Sequence, residues 1–209
     1  MICRNKERGE ASLTKIHSVT GNKNVYLEVS DISSVNDVKS FPSRYELSLA
    51  TNVLGTYTLT ELMLPLPEKA APDARVITVS SGGIYRYLLT TDLHFSGDTF
   101  DGVLQCGRNK RVQVAMTEKW AEMYEDKGVG FYSMHPGLAK TPGMAKRSFE
   151  GKLRSSEEGA DTVIWLALQP KEKLVSGAFY FDRAEEPKHL AIVRHQEVSF
   201  CYRLHNCET

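Results

Sequence analysis

The chain has 209 residues, enough for one α/β domain with a sizeable core. Its 26 Lys and Arg balance 26 Asp and Glu, so no global field draws nucleic acid, and no apolar run approaches the roughly 20 residues that span a bilayer. Cys3, Cys106, Cys201 and Cys207 form neither a CxxC pair nor a disulfide framework. With the charged start MICRNKERGE, this points to an intracellular, cytoplasmic location.

Met1-Ile2-Cys3 reads as the end of a strand, and Asn5 as the N-cap of a helix that Gly21 closes. NVYLEVSDI, from Asn24 to Ile32, is rich in β-formers and reads as a second strand closed by Asp31. SSVNDVKSF then starts a short helical stretch that Pro42 interrupts. From Tyr45 to Leu66 the apolar residues recur at helical spacing, with Asn52 a polar residue among them.

ARVITVSS, Ala74 to Ser81, is a short β-branched run of the kind buried in a parallel sheet. A polar loop leads from it into an amphipathic helix that carries Cys106 and, one turn on, Lys110. GVGFYSMHPG is the next strand and turn, and Ser155 with Glu158 forms a capping box for the helix SSEEGADTVIWLAL. SGAFYFDR is a last strand. The alternation argues a Rossmann-like, doubly wound parallel sheet over residues 1–183, followed by an irregular tail over 184–209. His195, Cys201, His205 and Cys207 in that tail lack any common zinc spacing, so no metal site is expected.

The stretches CRNKERGE, TGNKNVYLEVSDIS, LATNVLGTYTLT, RVITVSSGG, NKRVQV, MHPGLAKTPG and RSSEEGADTVIWLAL, in this order and spacing, resemble the short-chain dehydrogenase/reductase family. The resemblance runs from Cys3 to about Arg183. It implies NADP(H)-dependent hydride transfer on a small carbonyl or alcohol substrate, with Asn, Ser, Tyr and Lys as the catalytic group. Ser81 would polarise the substrate oxygen. Lys110 would bind the nicotinamide ribose and lower the pKa of the catalytic tyrosine. Asn52 would hold a water that relays protons to Lys110. Pro136, Gly137 and Thr141 would support the nicotinamide end, with Asp31 and Ile32 against the adenine. Helices around Asn52 and Lys110 build oligomer interfaces in many members, which implies a homo- or hetero-oligomer with family relatives.

Arg4 would face the ribose 2′-phosphate. A guanidinium suits phosphate, and no carboxylate follows at the expected strand end, which favours NADP over NAD. Taken without the resemblance, each residue also has a plainer reading. Lys110 is a solvated cation beside Arg108 and Arg111, Ser81 a strand-end serine, and Arg4 a surface charge. Asn52 satisfies a backbone group inside its helix, and Thr141 caps a turn.

Three departures from the family stand out. Position 106 holds cysteine where the pattern has tyrosine, and a thiol falls short of a carbonyl that a phenol would reach. Cys106 therefore reads as a small, semi-buried apolar residue, leaving Tyr85 or Tyr87 to approach from the loop. No TGxxxGxG phosphate turn precedes the first helix. Between DISSVNDVKS and YELSLATN only FPSR fills the interval where the family places a helix, its fourth strand and an NNAG turn. In the family's sheet order, 3-2-1-4-5-6-7, strands 1 and 4 are then missing, leaving two fragments with unpaired central edges. The expectation is an impaired oxidoreductase, or a truncated, catalytically silent relative acting by protein–protein interaction.

Overall fold

The computed structural model describes residues 1–32, 47–90, 93, 101–141 and 153–188. The helical stretch expected over 33–41, and the Cys/His residues of the tail, lie outside them.

Short-range signals place the first elements. Strand β1 (Ile2–Cys3) runs into helix α1 (Lys6–Thr20), whose N-cap Asn5 accepts from the Arg8 N–H and whose end is the left-handed Gly21. Strand β2 (Glu28–Val29) pairs parallel with β1. The strand expected over nine residues is thus two residues long, because β1, its pairing strand among the described residues, is itself two residues long.

A helical rod follows. Helix α2 (Leu47–Leu49) passes through a π-helical segment, Ala50–Leu54, into α3 (Gly55–Met63), and α4 (Pro65–Lys69) closes it. Next come β3 (Arg75–Val79), a 3₁₀ turn (Gly82–Arg86), the long helix α5 (Gly102–Met123) and β4 (Gly130–His135). Helix α6 (Ser156–Leu168) begins with the full capping box of Ser155 and Glu158. Strands β5 (Phe179–Phe181) and β6 (Ala184–Glu186) complete the described part. β6 lies past the expected boundary at residue 183: it turns back through Asp182 and Arg183, both at positive φ, and pairs antiparallel with β5.

The sheet is divided as the missing strands imply. β1 and β2 form one parallel pair, and β3-β4-β5-β6 form a separate sheet whose first two pairings are parallel. Both faces of the larger sheet are covered. Phe131 of β4 and Val76 of β3 pack with Val112, Met116 and Trp120 of α5, whereas Tyr132, Met134 and Ile77 point the other way, to Leu166 of α6. That alternation follows from the two-residue period of a strand. Arg75 ties β3 to α6 by donating to the Leu166 and Gln169 carbonyls at 2.7 and 2.8 Å, satisfying two orphan groups of the helix end.

The helical rod is fixed to α5 by Glu61, whose carboxylate accepts from Trp120 Nε1 at 2.6 Å and from the Tyr124 hydroxyl at 3.0 Å. Burial and this carboxylate push the Tyr124 phenol well above its ordinary pKa. The smaller unit seats on the rod at Gly55, where a Cβ would stand 2.5 Å from the Ile32 carbonyl oxygen. Glu61→Ala leaves two donors without their acceptor and is expected to cost about 2 kcal/mol of stability in urea unfolding. An unchanged midpoint would show that the clamp contributes nothing.

Candidate functional site

β3 ends at the carboxyl edge of the larger sheet, where open α/β sheets build their sites. Ser80 N–H donates to the Met134 carbonyl, and Gly130 N–H to the Ala74 carbonyl, so even-numbered residues of β3 turn their backbone groups toward β4. Ile77 and Val79 therefore turn theirs to the outer edge, where the described residues supply no strand. Lys110 responds to that geometry. Its Nζ donates to the Val79 carbonyl at 2.9 Å and to Gln113 Oε1 at 3.0 Å. Burial depresses the ammonium's pKa, with Cys106 opposing.

The polar residues behind Lys110 form a continuous chain. Gln113 Nε2 donates to the Asn52 carbonyl (2.7 Å) and to Thr56 Oγ1 (3.2 Å), and Asn52 Nδ2 donates to the Ser48 carbonyl (2.9 Å). Ser48 Oγ in turn accepts from Asn109 Nδ2 (3.0 Å), and Asn109 Oδ1 accepts from the Gln105 amide (3.2 Å). Asn52, in the π-helical segment, thus meets Lys110 through the buried Gln113, and its side chain satisfies a backbone carbonyl of α2. The sequence offered one signal for Gln113: it follows Lys110 by three positions, within an otherwise apolar run.

Ser81 stands two residues past the end of β3. Its Oγ accepts from the Gly83 N–H at 3.1 Å and caps the 3₁₀ turn. Cys106 is exposed, correcting the semi-buried expectation, because it falls between the buried Gln105 and Gly107 on the side of α5 turned to solvent. Neither loop tyrosine replaces the phenol. The Tyr85 hydroxyl donates to the Pro187 carbonyl at 2.7 Å, and the Tyr87 ring fills the space in front of Gly107.

At the end of β4 the turn Pro136-Gly137 is covered by Arg154. A Cβ on Gly137, at φ 75°, would lie 2.6 Å from the Arg154 side chain. The guanidinium also stands 5.0 Å over the Phe181 ring and makes a bidentate pair with Asp182, at 2.5 and 2.7 Å. His135 stacks on the same Phe181 ring, with centroids 4.9 Å apart, and its buried Nδ1 has no partner among the described residues. Thr141 is exposed.

On the smaller unit, Arg4 and Asp31 leave the carboxyl ends of β1 and β2 and form an ion pair at 3.7 Å. A carboxylate does stand beside Arg4, contrary to the reading from sequence order, because parallel pairing aligns two strand ends far apart in the chain. Ile32 packs its carbonyl on Gly55 and lines a cleft with β3.

Three of the positions that the resemblance assigns to NADP are engaged within the chain. Lys110 is engaged on Val79 and Gln113, Arg4 is paired with Asp31, and Arg154 covers the turn meant for the nicotinamide end. Among the described residues no group of His, Cys, Asp and Glu could hold a metal ion, and no helix is long and apolar enough to cross a membrane.

Burial and the nearby Arg154 depress the His135 pKa below its ordinary 6.5, with Asp182 opposing. The folded state then binds fewer protons than the unfolded state as pH falls. This contribution to stability is full above about pH 6.5 and is lost progressively as pH falls toward the folded-state pKa. His135→Phe is expected to flatten the fall in urea midpoint between pH 7.5 and 5.5. An unaltered slope would exclude His135 as its source.

No family model matches the chain. It is 36% identical over 230 residues to dehydrogenase/reductase SDR family member 12 of Bos taurus, covering 93% of this chain and 71% of the relative. The human protein of that name is 34% identical over 227 residues, covering 92% and 71%. Since 93% of 209 residues is about 194, about 36 of the 230 aligned positions of the bovine relative have no counterpart here. An NADPH-bound short chain oxidoreductase from Pseudomonas aeruginosa PAO1, containing an atypical catalytic center, shares the fold with a TM-score of 0.65 and 15% identity, over 85% of this chain and 82% of its own.

Proposed function

The chain belongs to the short-chain dehydrogenase/reductase family, and we propose that in this form it is a catalytically silent, truncated member. The observation that carries this reading is the position of the Lys110 ammonium, bound to a strand-edge carbonyl and a glutamine, with an exposed thiol one turn earlier.

The family's reaction moves a hydride between NADP(H) and a carbonyl or alcohol carbon while a proton passes to or from the oxygen. A thiol at position 106 ends one bond beyond Cβ, several ångströms short of where a phenolic oxygen would donate. Ser81 retains a hydroxyl at the right sheet end, yet position 106 offers it no phenol to complete the proton path. The bovine and human relatives support an oxidoreductase lineage. The 36 or so unmatched positions fall inside the aligned span and support loss of an internal segment of the sheet. What remains open to a ligand is the space between the two sheets, where strands 1 and 4 would lie in the family order.

NADPH titration followed by nucleotide fluorescence is expected to show no saturable complex through the micromolar range, and no thermal stabilisation. A micromolar complex would overturn the reading. Cys106→Tyr is expected to give no NADPH consumption with a panel of aldehydes and ketones, since Lys110 stays bound to Val79 and Gln113. Turnover by that single variant would show that only the proton donor was missing.

A further inference from the structure

The space where the two sheets fail to meet is a cleft of about 480 Å³, within the range of about 300–1,000 Å³ typical of small-molecule sites. One wall is the outer edge of β3, with Val76 and Val79. The others bring Ile2 and Ile32 from the smaller unit and Leu59 and Met63 from α3. Lys110 lines one end and is, among the described lining residues, the one formally charged side chain; no carboxylate is among them. An ammonium has three protons. Two go to Val79 and Gln113, and the third has no acceptor among the described residues. A half-buried cation at the end of an apolar cleft, with no counter-ion among the described residues, sets the charge and the shape of what fits.

We propose that this cleft binds an amphiphilic monocarboxylate of medium chain length, its carboxylate on Lys110 Nζ and its tail between Ile2, Leu59, Met63 and Val76. A charge-assisted bond to the free ammonium proton replaces lost hydration of both groups, and the tail removes apolar wall from water. A single unpaired proton suits one anionic head. A diphosphate would need more donors than that one proton supplies. The inference goes beyond the silent reading and does not depend on it, since Lys110 and the cleft stand as described whether or not the nucleotide binds elsewhere.

The test is isothermal titration calorimetry of the full chain with hexanoate, octanoate and decanoate, each below its critical micelle concentration, and with decanol. Affinity should rise about fourfold per added methylene while the cleft fills. Decanol should bind at least tenfold more weakly than decanoate. Lys110→Met, checked by its thermal transition, should lose at least tenfold for decanoate and little for decanol. Because Lys110 also holds Val79 and Gln113, that variant could fail to fold. Met63→Glu, at an exposed rim position against the tail, supplies the second test by weakening decanoate and decanol alike by about fivefold; unchanged affinity for both would overturn the proposed seat. No heat with any carboxylate, or equal affinity for decanoate and decanol, would overturn the proposal. So would tight binding of a blocked apolar peptide with none of decanoate, which would make the β3 edge a strand-docking site instead. The NADPH titration reads the silent-enzyme proposal separately, so each can fail alone.

Discussion

Between Lys110 Nζ and the Val79 carbonyl runs the hydrogen bond on which the whole carboxyl edge depends. A parallel sheet satisfies its backbone through neighbouring strands, and β3 has such a neighbour on one side only among the described residues. The outward carbonyl of Val79 needs a donor, and the nearest strong one is the lysine of the facing helix. Once that bond forms, the ammonium lies along the sheet edge. Ser80 adds to the attachment by donating its hydroxyl to the Lys110 carbonyl at 2.8 Å. Strand and helix are joined at this point through both backbone and side chain.

From there the arrangement propagates through polar contacts. Gln113 bridges Lys110 to Asn52, and Ser48 bridges Asn52 to Asn109 and Gln105. Buried polar side chains in such a network are each supplied with a partner, which makes removal of any one costly and fixes the rod against α5. The residues that would hold a proton-relay water in an active family member are here connected to one another. On the far side of the site, Arg154 stacks over Phe181 and covers Gly137, a cation-to-ring and cation-to-carboxylate arrangement that closes the other half.

Much of the local structure was legible in the sequence. Asn5 and Gly21 bound α1, Ser155 and Glu158 start α6, and the β-branched run at Arg75–Val79 forms a strand covered on both faces. The split of the sheet was also legible, from what stands between DISSVNDVKS and YELSLATN. The strand expected from Asn24 shrank to Glu28–Val29, because pairing depends on an available edge and not on β-propensity alone. β6 was read as tail because AEE carries no alternating apolar pattern; it pairs by backbone bonds to β5, which need no such pattern.

The order of amino acids by itself determined the helix ends, the face each strand residue takes, the family and the absence of a phenol at position 106. All of these rest on spacings of a few residues or on residue identity. Only the tertiary structure decided that Lys110 serves Val79, 31 positions away, that Gln113 meets Asn52 across 61 positions, and that Arg154 reaches Asp182 across 28. Such partners are chosen by which unsatisfied backbone group or charge the packed elements bring within hydrogen-bond distance. That choice exists only once the sheets and helices have been assembled.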